Sequence, residues 1–184
     1  NGYQTGFGAI CYKNGDLYEG DVQNGLRHGE GRFFQASDCV WYKGAWIQGI
    51  LYGHVEISCS EWIFEGQLPE KDVISLGKLI YPDGSKYEGQ ILNFKRHGKG
   101  TLTAASGEQT CGVWKDQLHV INAIRTDAEG IIWKGSFKNS QPDGFMRIRM
   151  PNGHGYDGVW EKGDMVRVLS VINKTKSPNH YVVH

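Results

Sequence analysis

"YEGDVQNGLRHGEGRF", residues Tyr18 to Phe33, holds four glycines among aromatic and aliphatic residues. Neither a helix nor an ordinary buried strand favours this mixture, because glycine in the interior weakens both. Tyr18, Gly20 and Val22 alternate with polar residues, and side chains at every second position share one face of a strand. The stretch therefore predicts a strand with one apolar and one polar face, followed by a tight turn at Asn24-Gly25.

The pattern recurs along the whole sequence at intervals of 22 to 24 residues. Most copies place an aromatic or apolar residue two positions before and two positions after an anchor glycine. The anchors are Gly20, Gly44, Gly66, Gly89, Gly112, Gly135 and Gly158. A period this regular predicts a stack of similar supersecondary units and not a fold around one central core.

Each repeat is predicted to contain two short strands and two turns. A second glycine pair, Gly29 and Gly31 in the first full unit, follows the anchor by nine and eleven residues. No turn is long enough to hold a crossover, so sequential strands must pair antiparallel. We predict an all-β fold: an elongated, single-layer antiparallel meander of repeated β-hairpins. It comprises about seven full repeats plus a partial N-terminal one (residues 1–14) in an array over residues 1–172, followed by a tail, residues 173–184.

The glycines are expected to make room for the rings. If one strand supplies rings and its neighbour supplies glycines on the same face, the rings can lie across the neighbouring backbone. A ribbon one sheet thick cannot bury both faces, so its partly open aromatic face is a binding or self-association surface. The candidate partner-binding residues are Tyr42, Trp46, Trp133, Phe137, Tyr156 and Trp160.

Composition excludes several classes of function. Lys+Arg and Asp+Glu balance at 20 each, so no overall field attracts nucleic acid. The four cysteines include no C-x-x-C pair, which favours reduced thiols and a cytoplasmic location. Repeat geometry accounts for the histidines and carboxylates, which are spaced too widely for acid–base catalysis or metal binding. We therefore expect no enzyme activity, no cofactor and no metal site.

The chain resembles the MORN (membrane occupation and recognition nexus) repeat family. The resemblance is carried by "YEGDVQNGLRHGEGRF", residues 18–33, and by "YEGQILNFKRHGKGTL", residues 87–102. The resemblance implies a non-catalytic scaffold in a cytoskeletal, ciliary or membrane-associated assembly, which docks a peptide, a helix or a second copy of itself. Two alternatives remain open. One is an anionic phospholipid site at Lys95, Arg96 and Lys99; the other is a regulatory region of a larger enzyme, such as a kinase or a SET-domain methyltransferase.

Both ends of the array suggest further contacts. End strands of an open meander leave unpaired N–H and C=O groups, and the apolar run from Met165 to Ile172 could cap the ribbon or meet a second chain. A dimer is therefore expected. Projecting the period back from Gly20 places an anchor before residue 1, although Asn1-Gly2 keeps its turn position. Further repeats, or another domain, are expected on the N-terminal side.

Overall fold

The chain forms one sheet of fifteen antiparallel strands, in which every strand pairs with its neighbours in sequence. The structure is a computed structural model that describes residues 5–69 and 72–173. The strands are β1 (Gly6–Cys11), β2 (Leu17–Gln23), β3 (Leu26–Gln35), β4 (Val40–Ile47), β5 (Ile50–Ser58), β6 (Ile63–Gln67), β7 (Ser75–Ile80), β8 (Lys86–Leu92), β9 (Lys95–Thr103), β10 (Gln109–Trp114), β11 (His119–Thr126), β12 (Ile132–Lys138), β13 (Gln141–Arg149), β14 (Gly155–Glu161) and β15 (Asp164–Ile172). The predicted all-β, single-layer meander is confirmed.

Some predictions fall on residues that the structure does not describe. Asn1-Gly2 and residues 174–184 of the predicted tail lie outside the described ranges. The boundaries assigned to the array and the tail therefore stay predictions. The terminal strand β15 is exposed along its length and pairs with β14.

The register brings the glycines into rows across the sheet. Gly8 pairs with Gly20, Gly20 with Gly31, and Gly31 with Gly44. A second run continues through Gly66, Gly77, Gly89, Gly100 and Gly112. We call this line of residues, together with those that replace glycine in it, the glycine row. Because successive side chains point to opposite faces of a sheet, the residues next to the glycine row and those two positions away from it lie on different faces.

The two faces differ in chemistry. Tyr18, Val22 and Trp46 lie on the inner face, where they belong to one hydrophobic cluster that runs along the ribbon. Glu19 pairs with Arg32 on the outer face, and their side chains form an exposed ion pair. The alternation predicted from Tyr18 to Val22 is therefore the alternation between core and solvent.

Tyr18 shows how a repeat is held together. Its ring lies over Gly31, where an added Cβ would come within 2.6 Å of the ring atom Cε2. Its hydroxyl donates a shared hydrogen bond to the carbonyl oxygens of Asp21 and His28, at 2.8 and 3.0 Å. Tyr87 repeats the arrangement, with both carbonyl oxygens at 2.9 Å. Each tyrosine thus satisfies carbonyls where the strand pairing is irregular.

The first glycine of each pair has a different role from the predicted one. Gly29 adopts φ 54°, a left-handed conformation at the irregularity between β2 and β3. A Cβ there would come within 2.9 Å of the Asp21 Cβ, on the outer face. Only the second glycine of the pair, Gly31, lies beneath a ring. The pair therefore serves two requirements, a backbone turn and a ring contact.

Neighbouring repeats are joined through tryptophan rings. Trp46 packs edge-on against Tyr18 at 5.7 Å between ring centroids, and its Nε1 donates to the Gly31 carbonyl at 3.1 Å. Trp114 packs in the same way against Tyr87 at 5.6 Å. Edge-to-face pairs contribute about 0.5–1.5 kcal/mol beyond the area they bury. The core is therefore a chain of contacts from one repeat to the next.

Candidate functional site: the aromatic inner face

The six aromatic residues predicted to bind a partner all lie on the inner face, but they differ in accessibility. Three are buried, with exposed fractions of 4% or less: Trp46, Phe137 and Trp160. The other three, Tyr42, Trp133 and Tyr156, are half-buried and pack against the core. They form two groups, one in β4 and one in β12 and β14, and Trp133 contacts Trp160 at 6.4 Å. Whether any of the six binds a partner stays a prediction.

Accessibility depends on the residue opposite the anchor glycine. The ring of Tyr18 is buried because glycine stands opposite its anchor. Val55 stands opposite the anchor in the next repeat, and there Tyr42 is half-buried. Met146 stands opposite the anchor in the repeat of Trp133, which is also half-buried. A side chain in the glycine row occupies the space beneath the ring, so these rings remain accessible on the inner face.

One repeat replaces its aromatic contact with a polar one. Thr110 stands where other repeats have a ring, and Arg125 donates from Nε to its hydroxyl at 3.1 Å. The same Nε lies 3.1 Å from a Glu108 carboxylate oxygen, and the guanidinium lies over Phe137 at 3.9 Å. Partial burial lowers the pKa of Arg125, while Glu108 opposes this shift. The arginine therefore fills space and keeps its charge paired.

The centre of the inner face holds residues that the sequence analysis missed. Trp62 and Phe94 are stacked, with centroids 4.8 Å apart and planes 14° apart. Two adjoining pockets, of about 610 and 300 Å³, share Tyr81 and Gln117. Residues from both long edges of the ribbon line the larger one, including Pro82 and Gln117, so the sheet curls around it. We call these two pockets together the central pocket.

Arg96, a candidate lipid ligand, lies on the inner face with its side chain half-buried. Its guanidinium carbon is 4.6 Å from the Trp114 ring centroid, and its Nη2 donates to the Gln117 carbonyl. Arg27 makes the equivalent contacts three repeats earlier. Burial lowers the pKa of Arg96. Lys95 lines the smaller pocket, whereas Lys99 is exposed and its neighbours in the strand place it on the outer face, so the structure does not bring all three predicted cations together.

Two buried polar atoms at the central pocket have no hydrogen-bond partner among the described residues: the Tyr81 hydroxyl and the Arg96 Nε. Burial raises the pKa of Tyr81, although the nearby Arg96 charge opposes the shift. Both groups can donate, and buried donors are normally satisfied. An acceptor brought from outside the chain would satisfy them.

A sequence signal for this pocket exists. The turn after β8 reads Asn93-Phe94, whereas the turns after β2 and β4 have glycine at the second position. Phe94 adopts φ 59°, a left-handed conformation in which bulky residues are rare. A large ring at a position that favours glycine is therefore the feature that marks the site.

The described residues show neither a metal site nor a membrane-spanning helix. No group of three or more histidine, cysteine, aspartate or glutamate side chains within residues 5–69 and 72–173 could hold a metal ion. The same ranges contain no helix of sufficient length and hydropathy to cross a bilayer.

Comparisons with known proteins agree with the repeat. The family model for the MORN repeat matches residues 18–40 and 87–109. Alsin from Homo sapiens and from Mus musculus is 26% identical over 148 residues, which cover 74% of this chain and 9% of alsin. The chain thus spans less than a tenth of the length of these curated relatives.

A solved structure resembles the fold. It is the SAS-4 TCP domain of Drosophila melanogaster in complex with a proline-rich motif of Ana2, with a TM-score of 0.50, 15% identity and coverage of 83% of both chains. At this identity the likeness concerns the fold alone. The two family matches begin at Tyr18 and Tyr87, the tyrosines whose rings cover a glycine and whose hydroxyls hold two carbonyls. The predicted resemblance to the MORN-repeat family is confirmed at these two repeats, residues 18–40 and 87–109.

Proposed function

We propose that this chain is a non-catalytic protein-interaction module that holds a segment of a partner protein on its inner face. One observation carries the proposal. The inner face presents half-buried rings around concave pockets, and no second layer of described residues covers it. Concave sites with a few convergent polar groups are the usual binding sites of proteins.

Two further points support the proposal. Half-buried aromatic side chains such as Tyr42 and Trp133 are the residue type that dominates binding energy at interfaces. The SAS-4 TCP domain, which has a similar fold, is in complex with a proline-rich motif of Ana2.

The finer parts of the proposal concern the setting. We place the module in the cytoplasm, in a cytoskeletal, ciliary or membrane-associated assembly, with a second copy of the chain as one possible partner. The four cysteines are free, as expected in a reducing compartment. The phospholipid alternative has less support, because Arg96 packs against rings and lies on the face opposite Lys99. The alternative of a regulatory region in a larger enzyme concerns residues outside this chain.

Site-specific photo-crosslinking tests the proposal. A photoreactive phenylalanine analogue would replace Tyr42 or Trp133 on the inner face, and Glu56 or Lys134 on the outer face as matched controls. We expect protein adducts from cell extract at the inner positions and few at the outer ones. Suppose the variants keep the native unfolding temperature but form crosslinks only from the outer-face positions. This result would refute the proposal that the inner face binds a partner.

A further inference from the structure

The central pocket lies where one repeat lacks a ring that an equivalent repeat has. Phe33 follows its anchor by thirteen residues, and its ring packs 6.2 Å from Tyr12 and 4.2 Å from the Arg27 guanidinium. Leu102 has the same place after Gly89. A leucine leaves part of the space of a phenyl ring unfilled, and Leu102 lines the pocket of about 610 Å³.

Two polar groups at the pocket have no hydrogen-bond partners among the described residues. Tyr81 and Arg96 stand where the earlier repeat has Tyr12 and Arg27. The Tyr81 hydroxyl and the Arg96 Nε have no hydrogen-bond partner among the described residues, and both side chains line the pocket. Leaving buried donors unsatisfied destabilises a protein, so the site favours a ligand rich in acceptors.

The pocket also offers flat apolar surface. Trp62 and Phe94 line its smaller part, stacked on each other. Phe94 keeps the left-handed φ of 59° in the place where glycine would be unstrained. Strained conformations tend to persist at binding sites, where the side chain is needed.

The rim of the pocket carries carboxylates at both ends. Asp83 lines the larger part, and Glu61 lines the smaller part together with the cation Lys95. Asp116 lies close enough to act on the pKa of Arg96, as does Asp83. These carboxylates favour a partner with positive charge beside its apolar part and disfavour an acidic peptide.

We propose that the central pocket binds a proline-rich segment in the polyproline II conformation, with arginine or lysine beside the prolines. Such a segment has carbonyl oxygens without internal hydrogen bonds, proline rings that stack on aromatic side chains, and little conformational entropy to lose. Its carbonyls accept from Tyr81 and Arg96, its rings contact Trp62 and Phe94, and its basic ends face the carboxylates of Asp83 and Glu61. The inference rests on the proposed function and names the partner class of the inner face.

A fluorescein-labelled peptide of about nine prolines with arginines at both ends is the probe. Binding is measured by fluorescence anisotropy, against a peptide with glycine and serine in place of proline and one with glutamate ends. Leu102→Phe places in the pocket the ring that the chain itself has at Phe33. Ile63→Phe adds the same ring to the outer face and serves as the matched control.

We expect saturable binding of the proline peptide with arginine ends. It should weaken by more than about tenfold in Leu102→Phe and stay unchanged in Ile63→Phe. Tyr81→Phe, which keeps the shape and removes one donor, should weaken binding by about three- to tenfold. In NMR spectra of the wild-type chain, the indole signals of Trp62 and Trp114 should shift on titration, and that of Trp160 should not.

Several results would overturn the inference. They are the absence of saturable binding at millimolar peptide, equal binding of the glycine–serine peptide, preference for glutamate ends, or full affinity in a folded Leu102→Phe variant. Failure of the proline peptide while inner-face crosslinks persist would remove this inference and leave the proposed function in place. Loss of the inner-face crosslinks would refute the proposed function itself.

Discussion

Replacing Gly100 by alanine tests the packing of a ring over the glycine row. An added Cβ would approach within 2.6 Å of Cε2 of Tyr87, whose side chain is fully buried. Gly100 does not have a left-handed φ, so backbone strain does not contribute to the effect. The ring must therefore move, or the two strands must separate.

The expected loss combines two contributions. Overpacking of a well-filled core costs about 1–3 kcal/mol. Displacing the Tyr87 hydroxyl leaves the carbonyls of Gln90 and His97 without their donor, which costs about 1–3 kcal/mol more. We expect Gly100→Ala to lower the free energy of unfolding by about 2–6 kcal/mol, a large part of the stability of an ordinary domain, about 5–15 kcal/mol.

Gly8→Ala is the matched control. Gly8 lies in the same row, and an added Cβ there would meet nothing within 4 Å. The free energy of unfolding of Gly8→Ala should equal that of the wild type or exceed it by up to about 1 kcal/mol, because glycine has more conformational freedom in the unfolded chain. Urea unfolding followed by tryptophan fluorescence measures both variants, with unchanged slopes as a check on two-state behaviour.

Packing of the ring over Gly100 is contradicted if the free energy of unfolding of Gly100→Ala lies within about 0.5 kcal/mol of the wild-type value. A double-mutant cycle gives a second check. In a Tyr87→Ala background the ring is absent, so the additional cost of Gly100→Ala should nearly vanish. An undiminished cost in that background would show that the alanine acts on the backbone and not on the ring.

Three further predictions concern charge and thiols. Burial raises the pKa of Tyr87 to about 12 from 10.0. The contribution of this shift to stability is therefore complete below pH 10 and is lost as the pH rises towards 12. The urea midpoint should fall over this pH range, and it should fall less steeply in Tyr87→Phe. Arg125→Ala should lower the free energy of unfolding by about 1–3 kcal/mol because it leaves the buried Thr110 hydroxyl and the half-buried Glu108 carboxylate without their donor. The exposed Arg32→Ala should cost less than about 1 kcal/mol, and equal losses would contradict this assignment. With a thiol reagent, the three exposed cysteines should react quickly in the native protein and Cys59 more slowly, and four equal rates would show that Cys59 is as accessible as the others.

The fold could be predicted because its determinants are local. The alternation around Tyr18 and the Asn24-Gly25 turn act over a few residues, and the 22 to 24 residue period repeats them. Short connections then left sequential antiparallel pairing as the simplest topology. The face of the sheet on which each of these aromatic residues lies was predicted correctly for the same reason.

Three features of the candidate site could not be read from the pattern. Arg96 was interpreted as a surface cation, but its stem and guanidinium pack on Trp114, since an arginine side chain can cover apolar surface. Gly29 was assigned to ring packing, but its left-handed φ follows from the irregular pairing of β2 and β3. The central pocket is lined by Leu102 at the position equivalent to Phe33, and a hydrophobic pattern treats these two residues as equivalent.

The sequence by itself determined the repeat, the strands, their antiparallel order and the face on which each aromatic residue lies, because period and turn chemistry are properties of neighbouring residues. Only the tertiary structure decided which of those rings are accessible. Tyr42 is half-buried because Val55, paired opposite Gly44 in the adjacent strand, fills the space that a glycine leaves free beneath Tyr18. Accessibility is set by volumes that meet across strands, and only the folded register brings those volumes together.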